Sequence, residues 1–221
     1  MILVNPNYFD PISITEEYPE TLVIEDNAYY RRIMIDLIEQ SKSGQGDFVL
    51  SEENEILNFT SAVLVVTDLL QSDFSDRTLK TKLQQTIAYD FRADPAVASI
   101  REELYQFCFR ICTDYSLPVS FRTDLTAIDL IKMMDFSLDL STSSWVDKIL
   151  LFLEAERALL KKNLFLFSGL KDLMSQEEYT SLEKELKYRK YNVLMLEHRE
   201  HVNIDDKDHL QIIDKDLCLI G

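Results

Sequence analysis

The sequence predicts an α/β protein: a parallel-sheet domain assembled from both ends of the chain, with a mainly α-helical domain inserted between them. Three observations predict it. Leu164-Phe165-Leu166-Phe167 and Val193-Leu194-Met195-Leu196 are apolar runs without polar alternation, the pattern of strands buried on both faces. Between them, Gln176 to Lys190 repeats with helical period, Tyr179, Leu182 and Leu186 sharing one face. A strand–helix–strand series of this kind is a βαβ unit, so its strands lie parallel. Finally, after Leu70 the extended runs give way to helical patterns that last to the middle of the chain. The expected boundaries are 1–72 with 147–221 for the sheet domain and 73–146 for the helical one.

Taken in order, Ile2-Leu3-Val4 reads as a short strand, followed by turns at Asn5-Pro6-Asn7 and Asp10-Pro11. Thr21-Leu22-Val23-Ile24 is a strand ending in acids, and Asn27 is the expected N-cap of a helix reaching Gln40. Ser41 to Asp47 reads as a loop, Phe48-Val49-Leu50 as an edge strand, and Ala62 to Asp68 as a further strand. Asp76 to Phe91 reads as a helix. Pro95, at its tolerated first position, opens another that reaches Tyr115 with Ile100, Leu104, Phe107, Ile111 and Tyr115 at helical spacing. Val119 to Phe121 and Ser137 to Leu140 read as extended, Leu125 to Met134 as a short helix, and Ser144 starts a helix that ends at Lys162.

The 221 residues, 46% hydrophobic and 28% charged with only four glycines, suit a soluble globular protein and not a loop-rich one. No apolar run approaches the roughly 20 residues of a membrane span, and the N-terminus lacks a signal pattern. Cys108, Cys112 and Cys218 are too few for a disulfide framework. The composition predicts a cytoplasmic protein. Its net charge of −16 disfavours polyanions as partners, but the surplus is uneven. Residues 1–72 carry 13 acids against 3 bases, residues 73–146 carry 11 against 8, and residues 147–221 carry 15 against 12. A nucleic-acid surface is therefore possible only as a local basic face.

Catalytic motifs are absent or weak. A phosphate cradle needs glycines followed by Lys and Ser/Thr between a strand and a helix. Gly44-Gln45-Gly46 instead follows a helix and leads into Asp47. Asp68 ends a strand as a magnesium-holding acid would, but acids after strands are commonplace. Glu185-Leu186-Lys187 has nuclease-like spacing on an amphipathic helix, where both charges face solvent. Cys108 with Cys112, and His198 with His201, would make a zinc site only by converging, and the cysteines read as small buried hydrophobes. No enzyme is expected; a divergent NTPase, a metal-dependent nuclease or an acidic protein–protein adaptor stand as alternatives.

Basic residues gather on the inserted helices, with Arg77, Lys80 and Lys82 on the first and Arg92, Arg101, Arg110 and Lys132 further along. Lys187 to Tyr191 forms a basic–aromatic knot at a helix end, where cations oppose the helix dipole.

Several segments, taken in order, resemble the short form of the CRISPR-associated Csn-two family of type II-A systems. They are Thr21 to Asp26, Leu64 to Leu70, Thr78-Leu79-Lys80, Pro95-Ala96-Val97, Leu130-Ile131-Lys132, Lys161-Lys162 before Leu164 to Phe167, and Val193 to Glu200. The resemblance implies a head like a P-loop NTPase fold without nucleotide motifs, plus an inserted helical leg. It further implies a homotetrameric ring that binds ends of double-stranded DNA during spacer acquisition, alongside the CRISPR integrase complex and effector nuclease. Lys80 and Lys132, and then Lys161 and Lys162, stand in matching segments as DNA-binding residues; Arg77 and Lys82 join them by position. The family also implies calcium, bound by an acid-rich stretch after the long leg helix. Between Cys112 and Asp124 this chain keeps only Asp114 and Asp124 as carboxylates, against the six to eight oxygens calcium takes.

Overall fold

The computed structural model describes residues 1–68, 77–141, 144–201 and 209–220. The chain divides into two compact units, Met1–Phe74 with Leu140–Gly221, and Ser75–Asp139. The expected boundary at 72–73 and the expected helix start at Asp76 lie outside the described residues.

The first unit holds a mixed sheet in the order β10-β9-β3-β8-β7-β6. Its centre is β3 (Glu20–Ile24), β8 (Asn192–Glu197) and β7 (Leu164–Ser168), all parallel, with β6 (Val63–Val66) parallel beyond β7. On the other side, β9 (Leu210–Ile213) runs parallel to β3, and β10 (Leu219–Ile220) turns back antiparallel. Every residue of β8 is buried, as are the first four of β7, which is what the unbroken apolar runs require. Leu22, Ile24, Leu164, Leu166, Leu194 and Leu196 join Ile33 and Leu37 of α1 (Asn27–Ser43) in one core cluster. The alternate residues Val23, Phe165, Phe167, Val193 and Met195 are equally buried and point to the opposite face. The buried stripes of α6 (Trp145–Leu160) and α7 (Gln176–Tyr188), which pack on each other, remain to cover that face.

A second sheet, antiparallel and ordered β2-β1-β4-β5, lies in the same unit. It comprises β1 (Ile2–Asn5), β2 (Phe9–Ser13), β4 (Val49–Glu52) and β5 (Glu55–Ile56), and its Leu3, Ile12 and Leu50 enter the α1 cluster. Two expectations are corrected here. Asp10-Pro11 is not a turn but part of β2, an edge strand where proline's missing N–H costs no ladder bond. The strand from Phe48 is not an edge, because it pairs with both β1 and β5.

Helix ends also differ from expectation. Asp26, not Asn27, caps α1 by accepting the Tyr29 N–H at 2.7 Å. The helix runs past Gln40 to Ser43, where Gly44 closes it with a φ of 74°. Gln40 is held inside because its side-chain amide bonds both backbone groups of Phe48, at 2.7 and 2.9 Å. A Cβ on Gly46 would lie 2.3 Å from that amide's oxygen, so a side chain there would push the amide off Phe48. Ala62 belongs to a short helix, α2 (Phe59–Ala62), so β6 begins one residue later than the apolar run suggests.

In the second unit, α3 (Arg77–Asp90) packs against α5 (Ala127–Met133), burying Leu79 and Leu130. The longest helix, α4 (Pro95–Asp114), starts on an Asp94 cap with Pro95 at its first position. None of its residues is buried: Ile100, Phe107, Ile111 and Tyr115 are 47%, 52%, 44% and 58% exposed. Cys108 and Cys112 on the same helix are half-buried, which corrects their reading as core hydrophobes. Val119 to Phe121 and Ser137 to Leu140 form no strand.

Candidate functional site

The carboxyl ends of β7 and β8 carry a cluster of ionisable side chains. Glu197, the last residue of β8, has no exposed side-chain surface, and its Oε1 accepts the backbone N–H of Lys171 at 3.1 Å. Lys171 and Asp172 lie on the 3₁₀ turn Lys171–Leu173 that follows β7. The Lys171 ammonium turns inward, donating to Thr21 Oγ1 at 2.8 Å over the Tyr179 ring. Asp172 faces three cationic or imidazole groups: Arg199, whose Nε donates to Oδ1 at 3.0 Å, His198 at 3.5 Å and His201 at 3.6 Å. His201 Nε2 also lies 3.7 Å from Glu197 Oε2. Behind the cluster, the Tyr30 hydroxyl bonds Ser168 at 2.7 Å. Burial pushes that hydroxyl's pKa up, the Ser168 bond offsets part of the rise, and the charges of Glu197 and Asp172 add to it.

The predicted cations divide by what holds them. Lys162 donates to the carbonyls of Thr60 at 2.6 Å and Val63 at 2.9 Å, fastening α6 to the start of β6. Lys80 lies 2.7 Å from Asp135, which ties α3 to the segment after α5. Arg77, Lys82, Lys132 and Lys161 are exposed and form no ion pair among the described residues. Lys82 stands about 200° around the helix from Lys80, so the α3 cations do not share one face. In the basic–aromatic knot, Lys187 reaches the Tyr18 hydroxyl at 2.9 Å and Arg189 pairs with Glu154 and Glu185, both at 3.1 Å. Arg157 donates to the carbonyls of Arg189 and Lys190 over the Tyr191 ring. The knot is a network that closes the end of α7.

Residues 40–217 match the family model described as CRISPR-associated protein (Cas_Csn2). The chain belongs to the Csn2 family. It is 23% identical over 163 residues to the CRISPR-associated protein Csn2 of Streptococcus agalactiae, spanning 72% of each chain. Its fold is similar to the crystal structure of Stu0660 of Streptococcus thermophilus, with a TM-score of 0.60 at 16% identity over 96% of this chain and 74% of that one. A nucleotide-free ATP-binding cassette from an ABC transporter aligns with a TM-score of 0.42 at 14% identity, over 96% and 87% of the two chains. This Csn2 chain is thus a CRISPR-associated α/β protein. No helix among its described residues is long and apolar enough to cross a membrane.

The two carboxylates expected to hold calcium, Asp114 and Asp124, lie in different settings. Asp124 Oδ1 accepts Arg122 Nε at 2.6 Å, and Asp114 ends α4. Neither joins a group of three or more candidate ligands among the described residues; that group forms instead from Asp172, Glu197 and His201. In the sequence, His198 and His201 stand out as possible partners for the cysteines, and His198 also as part of the charged stretch that ends β8. The missing signal was Asp172, 25 positions before Glu197 and unremarkable in any local pattern.

Arg122 serves the cap of α5 instead. With Thr126 it surrounds Asp129, whose Oδ2 accepts from Arg122 at 2.7 Å and from the Thr126 N–H at 2.8 Å. The Thr126 hydroxyl and backbone, then Arg122, lower the Asp129 pKa from 3.8 to about 2. A depressed acid stabilises the fold above its unfolded pKa and loses that contribution as pH falls through the folded one. Carboxyl NMR titration should therefore place the Asp129 midpoint near 2, with the α5 cap loosening between pH 4 and 2; an ordinary midpoint near 3.8 would mean that the cap is not formed.

Proposed function

We infer that this protein binds the ends of double-stranded DNA without sequence preference and without catalysis, as a homotetrameric ring acting in spacer acquisition. Family membership makes the CRISPR role its setting. The observation that carries the reading is the set of exposed, uncommitted cations on the second unit, Arg77, Lys82 and Lys132, in a chain of net charge −16. Four copies would repel DNA over most of their surface, so only a local basic lining could attract it, and such a lining touches phosphates. The integrase complex and effector nuclease are the expected protein partners.

Two further observations support the parts of this reading. The apolar stripe of α4 is exposed among the described residues and suits a second copy of the same helix. In the parallel sheet of the first unit, Glu25 and Asp26 join β3 directly to α1, at the kind of strand-to-helix turn where a phosphate cradle would lie. Asp26 bonds the first turn's N–H itself, where a phosphate would otherwise sit, and both acids repel phosphate. That disfavours the NTPase alternative.

The test is fluorescence anisotropy on linear duplex and on a covalently closed circle of the same sequence across a salt series. Linear duplex should bind at low salt and the circle weakly, with log affinity falling linearly in log salt by about 0.9 per phosphate neutralised. Lys132→Gln should make that slope shallower by about 1, equally on any sequence, because one phosphate is then left without its cation. Equal binding to circles would rule out end capture. No binding to either form would leave the acidic adaptor as the better reading.

A further inference from the structure

We propose that Asp172, Glu197 and His201 form a site for a divalent transition-metal ion, with zinc the best fit, at the carboxyl end of β7 and β8. The donor set comes first. Two carboxylates and one imidazole suit zinc and its first-row neighbours, whereas calcium and magnesium prefer all-oxygen surroundings. Three protein ligands leave a fourth tetrahedral position for water or for a group brought by a partner.

Geometry is the second, independent argument. The three ligand atoms lie within 4.8 Å of one another. His201 Nε2 is 3.6 Å from Asp172 Oδ1 and 3.7 Å from Glu197 Oε2. Those separations exceed the roughly 3.2 Å limit of a good N–H···O bond. They are instead close to the edge of a tetrahedron around an ion with bonds of about 2.0–2.2 Å, which is about 3.4 Å. One small ion would draw His201 toward each carboxylate by a few tenths of an ångström and bring the two carboxylates, which lie within 4.8 Å of one another, to the same spacing.

The surroundings hold the ligands in place. Lys171 N–H anchors Glu197 through Oε1, leaving Oε2 on the side of His201, and the next residue in the chain is Asp172 itself. Arg199 and His198 flank Asp172, as outer partners do around metal-bound carboxylates. The Glu197 side chain is fully buried, while those of His201 and Asp172 are 11% and 23% exposed, so an ion can enter from the rim. The ion would staple the chain leaving β8 to the turn after β7. This site is separate from the DNA-binding reading and does not rest on it.

Untagged full-length protein, stripped with a chelator and dialysed, would be titrated with zinc, manganese and calcium by calorimetry, with metal content checked by mass spectrometry. One zinc per chain is expected, bound more tightly than calcium. Glu197→Gln, which preserves shape, and His201→Gln should each weaken zinc at least about tenfold, while His209→Gln should not. Circular dichroism checks that each variant folds; if Glu197→Gln does not, His201→Gln decides. No zinc bound, zinc bound equally by both variants, or calcium bound as tightly as zinc would each overturn the proposal.

Discussion

Replacing Phe165 with alanine is expected to lower the unfolding free energy by about 3–5 kcal/mol. Phe165 has no exposed surface and meets Tyr191 edge-on at a centroid distance of 5.5 Å. Its backbone is flanked by strands on both sides, β6 at Leu64 and β8 at Val193, so the sheet cannot move to fill the space. Both the transfer term and the cavity term therefore apply in full. Phe165→Leu, closer in volume, should lose far less. Urea unfolding of the two variants checks this: a loss below about 1 kcal/mol for the alanine variant would mean that β7 is not covered on both faces.

A double substitution on α4, Phe107→Glu with Ile111→Glu, is expected to dissolve the proposed assembly while leaving the monomer folded. Both side chains are about half exposed in the isolated chain, so charging them costs the monomer little. In an assembly that closes over the stripe, each would surrender roughly half of the about 1.5–3 kcal/mol that full apolar burial is worth, and the new carboxylates would face each other. Together that weakens association on the order of a hundredfold or more. Light scattering reads the mass directly, and unchanged circular dichroism would show that the chain still folds. A tetramer that survives both charges would move the self-association surface away from α4.

The parallel βαβ unit was legible in the residues because its signal is local. Unbroken apolar runs specify strands covered on both faces, and the helix between them shows its buried stripe in Tyr179, Leu182 and Leu186. The starts of α1, α4, α6 and α7 were legible to within a residue, since a cap needs only a side chain that reaches an amide two or three positions on, whereas α5 begins two residues after the expected Leu125 and α2 was not expected. The antiparallel sheet was not legible, because Ile2–Asn5 and Val49–Glu52 are short and pair across more than forty residues. Nor was β9, a four-residue strand whose partner, β3, lies far upstream.

The same distinction runs through the candidate sites. Periodicity identified the apolar stripe of α4 correctly but could not say that the described residues leave it exposed, because amphipathicity defines a face and not a neighbour. Composition identified Lys80, Lys132 and Lys162 as cations. Only the tertiary structure separated the exposed Lys132 from Lys80, paired with Asp135, and from Lys162, spent on two backbone carbonyls. By itself the sequence determined the central strands β3, β6, β7 and β8 and the apolar side of each long helix, since these follow from side-chain spacing along one element. The meeting of Asp172, Glu197 and His201 was decided by tertiary structure alone, because parallel strands place their carboxyl ends side by side whatever length of chain lies between them.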